Sequence, residues 1–170
     1  MKALILAAGF GSRLAPITNE VPKSLVKVNG KPILFKQIEN LIDNGIDDIT
    51  IVSGYKAEVL EKVVHEKWEN IKVIESVDYA TTNNMYSAYL GIKSMGMCEM
   101  IMMNADVFFD STIIDALLNF AHPNAIVTDI GTYYEESMKV IEVNDRLVEI
   151  SKTIKECDAL GSSIDVYKFE

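Results

Sequence analysis

Ala3-Leu4-Ile5-Leu6-Ala7 is an unbroken apolar run that stops at Gly9 and Gly11. A strand with one wet face alternates apolar and polar residues, so an unbroken run points to a strand covered on both faces, as in a parallel sheet. Residues 8–22 are rich in Gly, Ser, Pro, Thr and Asn and predict a long loop with at most a helical turn. From Pro32 the apolar residues Ile33, Leu34, Ile38, Leu41 and Ile42 recur at helical spacing, with Pro32 suited to the first turn and Gly45 to the stop. Asp48 to Val52 predicts a second strand, ending at Ser53-Gly54. Residues 57–67 put Val59, Leu60, Val63 and Val64 on one helical face, and Ile71 to Ile74 reads as a strand. A helix over 84–95, a methionine-rich strand over 99–104 and a helix over 112–118 capped by Ser111 continue the series. Strands alternating with helices imply right-handed crossovers and a mainly parallel sheet.

The pattern changes near residue 124. Segments 125–128, 138–143, 147–150 and 164–169 all read as strands with no helix between them, and Asn144-Asp145 is a tight-turn signal. The expected fold class is therefore α/β, mainly parallel with an antiparallel C-terminal portion. Residues 1–124 form the α/β core, and 125–170 form a mainly antiparallel part of the same domain.

Composition narrows the function classes. The chain has 170 residues, 49% apolar and 24% charged, which excludes disordered, collagenous and disulfide-framework proteins. Sixteen basic against 25 acidic side chains give a net charge of −9, which argues against nucleic acid and anionic membrane surfaces as partners. No stretch approaches the roughly 18 apolar residues of a membrane span. Cys98 and Cys157 fit neither a metal spacing nor a redox pair and are expected to be reduced in a cytoplasmic chain. The charge is uneven, however: residues 1–36 sum to +5 and the rest to −14. That split suits either an anionic ligand held at one place or a chance cluster of surface lysines.

Ligands of open parallel sheets sit beyond the carboxyl ends of the strands, and three polar segments fall at such ends. The first is Leu6-Ala7-Ala8-Gly9-Phe10-Gly11-Ser12-Arg13-Leu14. Glycines let a backbone approach a phosphate, and arginine adds a forked donor to its oxygens. It is neither a Walker loop nor a dinucleotide fingerprint. On the glycines alone, a tight turn with a surface arginine accounts for it equally well. Pro22-Lys23 follows ten residues after Arg13, and the whole stretch from Leu6 to Leu25 then resembles the signature of the nucleotidyltransferase (NTP-transferase) family. Ile17 is a conservative departure, and the Asn29-Gly30-Lys31-Pro32-Ile33 turn fits the same pattern. The resemblance implies a Rossmann-like three-layer α/β/α fold. It implies an enzyme that joins a nucleoside monophosphate to a phosphate-bearing sugar or alcohol and releases pyrophosphate. It also implies that Leu6, Ala8, Gly9, Phe10 and Gly11 hold the nucleotide, while Arg13 and Lys23 neutralise charge at the reacting centre.

The second segment runs from Tyr79 to Leu90. Thr82 or Asn83 as a helix cap explains one polar residue of the cluster, not all of them. Asn83-Asn84-Met85-Tyr86-Ser87-Ala88-Tyr89-Leu90 resembles an element of bacterial phosphocholine cytidylyltransferases and their CTP-using relatives. That resemblance implies base or ribose contacts from Asn84 and Ser87, with Tyr86 as packing. The third segment is Asn104-Ala105-Asp106-Val107-Phe108-Phe109. An Asp at the end of an apolar strand is costly to leave bare, and Asp110 and Ser111 are better placed to cap the next helix. The stretch resembles the family's Gly-Asp-Val-Phe-Phe, whose Asp binds Mg²⁺. Ala105 stands where glycine is usual, and its methyl is expected to crowd the nucleotide.

No classical base is needed. The attacker is an anionic phosphate oxygen, the target is the α-phosphorus, and the demand is positioning and charge neutralisation by Mg²⁺ on Asp106 with Arg13 and Lys23. The scarcity of histidine fits, and His65 and His122 read as surface residues. The resemblance thus implies an Mg²⁺-dependent transfer of CMP from CTP to a small phosphomonoester such as phosphocholine. The near alternative is a sugar-1-phosphate nucleotidylyltransferase using UTP, GTP or dTTP. The alternative of a different class is a nucleotide-binding module without turnover, because Ala105 departs from the pattern and relatives run longer. They also supply a second metal carboxylate, for which Asp165 is the nearest residue here. Residues 125–170 are accordingly expected to be an incomplete counterpart of the family's C-terminal part.

Overall fold

The apolar run at the start of the chain forms strand β1 (Lys2–Ala7), and both of its faces are covered. Ala3, Ile5 and Ala7 pack into one core with side chains of helices α1 (Ile33–Asp43), α2 (Ala57–His65) and α4 (Thr112–Leu118). Leu4 and Leu6 pack into a second core under helix α3 (Asn84–Met95). The period of two along a strand sends alternate residues to opposite layers, so a two-sided burial reads as a continuous apolar run. The approach of α3 is close: a β-carbon on Gly91 would lie 2.4 Å from Leu4 Cδ1. The structure is a computed structural model and describes residues 1–131 and 133–170.

Strands β4 (Ile49–Ser53), β5 (Lys72–Glu75) and β6 (Met100–Asn104) join β1 in the parallel order β5-β4-β1-β6. The pairing then turns antiparallel. Strand β10 (Gly161–Phe169) lies against β6 and is followed by β8 (Lys139–Val143) and β9 (Arg146–Ser151), while β7 (Ala125–Asp129) also pairs with β10. The β8–β9 hairpin turns on Asn144 and Asp145, both at positive φ (54° and 60°), the geometry a two-residue hairpin turn requires. The result is the expected Rossmann-like α/β/α arrangement, with a parallel half that carries the helices and an antiparallel half beyond β6.

Local detail departs from the pattern reading in three places. Segment 8–22 is more ordered than a loop. Two short 3₁₀ turns, Ser12–Leu14 and Ile17–Asn19, lie within it, and a third, Lys23–Leu25, follows before a hairpin of β2 (Lys27–Val28) and β3 (Lys31–Pro32). Pro32 therefore precedes α1 as its cap and pairs in β3. Ser111 makes no side-chain cap because its backbone is already helical (φ −59°, ψ −23°). Asp110 Oδ1 accepts from the Thr112 N–H instead, at 3.0 Å. Asn83 caps α3 as expected, its Oδ1 accepting from the backbone of Met85 and Tyr86. Among the described residues, no helix is long and apolar enough to cross a membrane.

Candidate active site

A cleft of about 190 Å³ opens beyond the carboxyl ends of β1 and β6. Its first wall is the turn after β1. Gly11 sits at φ +65°, and a β-carbon there would lie 2.7 Å from Lys23 Cβ. Glycine is thus required both by the backbone and by the close approach of residue 23. The buried Thr18 hydroxyl donates to the Gly11 carbonyl at 3.0 Å and folds the following turns back onto the loop. This return carries Lys23 across the cleft, where its ammonium forms an ion pair with Asp106.

Asp106 follows β6 and is held from below. Gln37 Nε2, fully buried on α1, donates to the carbonyls of Asn104 and Val107, both at 2.8 Å. One turn on, buried Asn40 Nδ2 donates to the Phe109 carbonyl at 2.8 Å. Two helix side chains thus clasp the loop that presents the carboxylate. Ala105 is buried, and its methyl group packs with the α1 and α4 core as well as bordering the cleft.

Arg13 is largely exposed at the cleft mouth, with Nη1 3.9 Å from Glu136 Oε2. The same carboxylate takes Lys152 Nζ at 2.5 Å. The Lys152 hydrogen bond, followed by the charges of Lys152 and Arg13, holds Glu136 below the usual carboxylate range. On the opposite wall Asn84, the first residue of α3, donates Nδ2 to Asn104 Oδ1 at 3.1 Å. Asn104 Nδ2 in turn donates to Asp165 Oδ2 at 2.9 Å, and the Tyr167 hydroxyl donates to Asp165 Oδ1 at 2.9 Å. Burial, with the Asp165 carboxylate beside it, pushes the Tyr167 phenol up to about 12, so it keeps the proton it donates.

Leu6, Gly9, Gly11, Arg13, Lys23, Asn84 and Asp106 therefore share one cleft. Three further candidates lie elsewhere. Phe10 packs outward, its ring 5.3 Å from Tyr55 and 5.1 Å from Tyr79. The Ala8 carbonyl accepts the Tyr55 N–H at 3.1 Å, and Ser87 is buried within α3. Pattern reasoning passed over Gln37, Asn40, Asn104, Glu136 and Lys152. A signal did exist for Gln37: it interrupts the apolar stripe Leu34, Ile38, Leu41 at a core-facing position, where a polar residue needs a buried partner.

Asp106 could supply one carboxylate to a cation such as Mg²⁺, which keeps several waters and takes phosphate oxygens rather than an all-protein cage, whereas Lys23 and Arg13 suit the phosphates themselves. Among the described residues no group of three metal-ligating side chains gathers.

A family model described as nucleotidyl transferase matches residues 2–149. The chain is 48% identical over 90 residues to the choline-phosphate cytidylyltransferase of Streptococcus pneumoniae, covering 53% of this chain and 38% of that protein. It is 29% identical over 185 residues to the CTP:phosphoglutamine cytidylyltransferase of Campylobacter jejuni, covering 99% of this chain and 73% of that one. Among solved structures, the S. pneumoniae CTP:phosphocholine cytidylyltransferase superposes with a TM-score of 0.71 at 30% identity, covering 99% of this chain and 70% of the other. The inositol-1-phosphate CTP transferase of T. maritima superposes with a TM-score of 0.83 at 21% identity, covering 99% and 69%, a likeness of fold. The chain thus spans well under half of the first relative's length and about seven-tenths of the solved neighbours.

Proposed function

The chain belongs to the nucleotidyl transferase family, and we propose that it transfers CMP from CTP to a small phosphomonoester such as phosphocholine. The carrying observation is that Gly11, Arg13 and Lys23 from one segment and Asp106, 83 residues beyond Lys23, line one cleft at the carboxyl ends of β1 and β6. Similarity to two cytidylyltransferases supports CTP as the donor.

In this reading an anionic oxygen of the acceptor phosphate attacks the α-phosphorus in line. The new O–P bond forms as the bond to the β-phosphate oxygen breaks, and pyrophosphate leaves with the electron pair. The attacker carries no proton to remove, so the residues bind, orient and neutralise. The glycine turn lets the backbone approach the phosphates, and Arg13 offers a forked donor at the mouth. Lys23, now paired with Asp106, turns to phosphate oxygens when the triphosphate enters. Asp106 would hold Mg²⁺, which would supply neutralisation of the phosphate charge when bound.

The test is pyrophosphate release with Mg²⁺, each of CTP, UTP, GTP and ATP, and acceptors that include phosphocholine and glucose-1-phosphate. Release with CTP and phosphocholine alone supports the reading. Release with UTP and a sugar phosphate replaces it with sugar-nucleotide synthesis, and tight binding without release by any pair replaces it with a binding module.

A further inference from the structure

The hydrogen bonds behind Asn84 run in one direction. Asp165 is a carboxylate and only accepts, so the group that Asn104 turns toward it must be the amide NH₂ (2.9 Å). That choice leaves Asn104 Oδ1 facing Asn84, which must answer with its own NH₂ (3.1 Å). Asn84 then has its carbonyl oxygen left over, and among the described residues no donor reaches that oxygen. An asparagine alone is free to flip its amide, whereas this one has its orientation fixed two residues away.

The fold goes to some trouble to place Asp165. The pairing of β10 with β7 shifts register between Ser163 and Tyr167, and Asp165 lies inside that irregularity at φ +57°. Left-handed backbone is uncommon for a residue with a side chain, and bulges often re-aim a side chain next to an active site. The backbone N–H of Asp165 donates to Ser163 Oγ at 3.0 Å, which braces the turn. With Val166 opposite Met103, the bulge sets Asp165 beside Asn104 at the end of β6.

Given the reading above that the cleft takes a nucleoside triphosphate, we infer that Asp165 is a positioning residue that selects the base: through Asn104 it aims the Asn84 carbonyl at the cleft, an acceptor for the exocyclic amino group of cytosine and a mismatch for the keto oxygen of uracil. A site that presents an acceptor rejects a ligand that also presents one, because both lone-pair groups lose water without gaining a partner. Ribose hydroxyls donate or accept at will, so only the base senses this polarity.

Two isosteric variants test it. Asp165→Asn can present either an oxygen or an NH₂ to Asn104, so the chain of amides loses its direction. Tyr167→Phe removes a bond to the other oxygen of the same carboxylate and leaves the chain intact. Dissociation constants for CTP and UTP with Mg²⁺ are measured by calorimetry for wild type and both variants, with circular dichroism and thermal melts to check the fold. The preference for CTP over UTP falls about tenfold in Asp165→Asn, as expected for one hydrogen bond reversed, and is unchanged in Tyr167→Phe. An unchanged preference in a folded Asp165→Asn protein, or an equal fall in Tyr167→Phe, overturns the inference. Side-chain amide NMR gives a readout that needs no nucleotide: Asp165→Asn, at a side chain that meets Asn104, Tyr167 and Ser163 and reaches Asn84 only through Asn104, shifts the Asn84 resonances as well. Unmoved Asn84 resonances overturn the relay whatever the nucleotide results. Moved resonances in a wild type that binds no nucleotide instead reject the functional reading and, with it, the base as ligand.

Discussion

Lys23 and Asp106 meet as an ion pair although 83 residues separate them, and each is about one-third exposed. A pair with that much solvent contributes little to stability, so its place in the cleft is better explained by function than by folding. Asp106→Asn is therefore expected to lower pyrophosphate release at least about a hundredfold, by analogy with the loss of other charge-stabilising groups. It should change the unfolding free energy, read by urea titration, by less than about 1 kcal/mol. A variant that unfolds early but keeps its turnover would reverse both assignments. Gly11→Ala combines a left-handed backbone with a contact to Lys23 Cβ. It is expected to cost about 1–3 kcal/mol and to weaken triphosphate binding, measured by denaturation and calorimetry on the same sample. Gly9, Gly11, Arg13, Lys23 and Asp106 were legible because each belongs to a short motif. Glu136 was not legible as a site residue, and Asp165 was read only as a candidate second metal carboxylate, because the partners that place them at the cleft lie 61 or more residues away and no local spacing encodes that.

At the scale of elements, α1 does more than fill a layer. Its apolar stripe faces the core, yet Gln37 and Asn40 lie buried and turn their amides up into the loop that carries Asp106. Gln37→Leu would leave two carbonyls without their donor and is expected to destabilise by about 1–3 kcal/mol. If the clasp also positions Asp106, kcat falls in the folded variant beyond any change in KM, and an unchanged kcat confines Gln37 to stability. The outer face of α1 carries Glu39, which bridges Lys31 Nζ of β3 at 2.5 Å and Lys67 Nζ after α2 at 2.7 Å. The hydrogen bonds from Lys31 and then Lys67 hold the Glu39 carboxyl below its ordinary range. A depressed acid contributes stability above its unfolded pKa and loses it as pH falls. Glu39→Gln should thus lower stability near neutral pH by about 1 kcal/mol or less for so exposed a network, read as a slightly lower Tm, and converge with wild type in acid. A gap that widens in acid would contradict this sign. Strand and helix identities followed from periodicity, and the misread places were ends and turns. Ser111 loses the cap to Asp110 over one residue's backbone angles.

For the whole molecule, the decisive feature is the order β5-β4-β1-β6-β10, in which a parallel half meets an antiparallel half at β6. That junction lets β1, β6 and β10 each deliver polar side chains to one end of the sheet. It also places Arg13 and Lys23 at a single cleft on a chain of net charge −9. If the local cations govern binding, the affinity for CTP weakens as salt rises, and if the global acidity governs it, salt strengthens the affinity. Calorimetry from low to physiological ionic strength distinguishes the two. Bound Mg²⁺ and CTP should also raise the melting temperature, with about 2.7 kcal/mol gained at one hundred times Kd. The absence of any shift at millimolar nucleotide would set the whole-molecule reading aside.

Periodicity, turn chemistry and short motifs are properties of neighbouring residues, and with them the chain by itself determined the α/β class, the two-sided burial of β1 and the glycine turn that follows it. Long-range pairing is different, because the same strands admit several sheet orders and only the packed core selects one. The tertiary structure alone decided that β10 lies beside β6 and that its bulge turns Asp165 onto Asn104. It decided that α1 holds the Asp106 loop through two buried amides, and that Phe10, inside the glycine motif, packs with Tyr55 and Tyr79 rather than lining the cleft. Each of these is fixed by hydrogen bonds and ring contacts between segments tens of residues apart, which no local preference encodes.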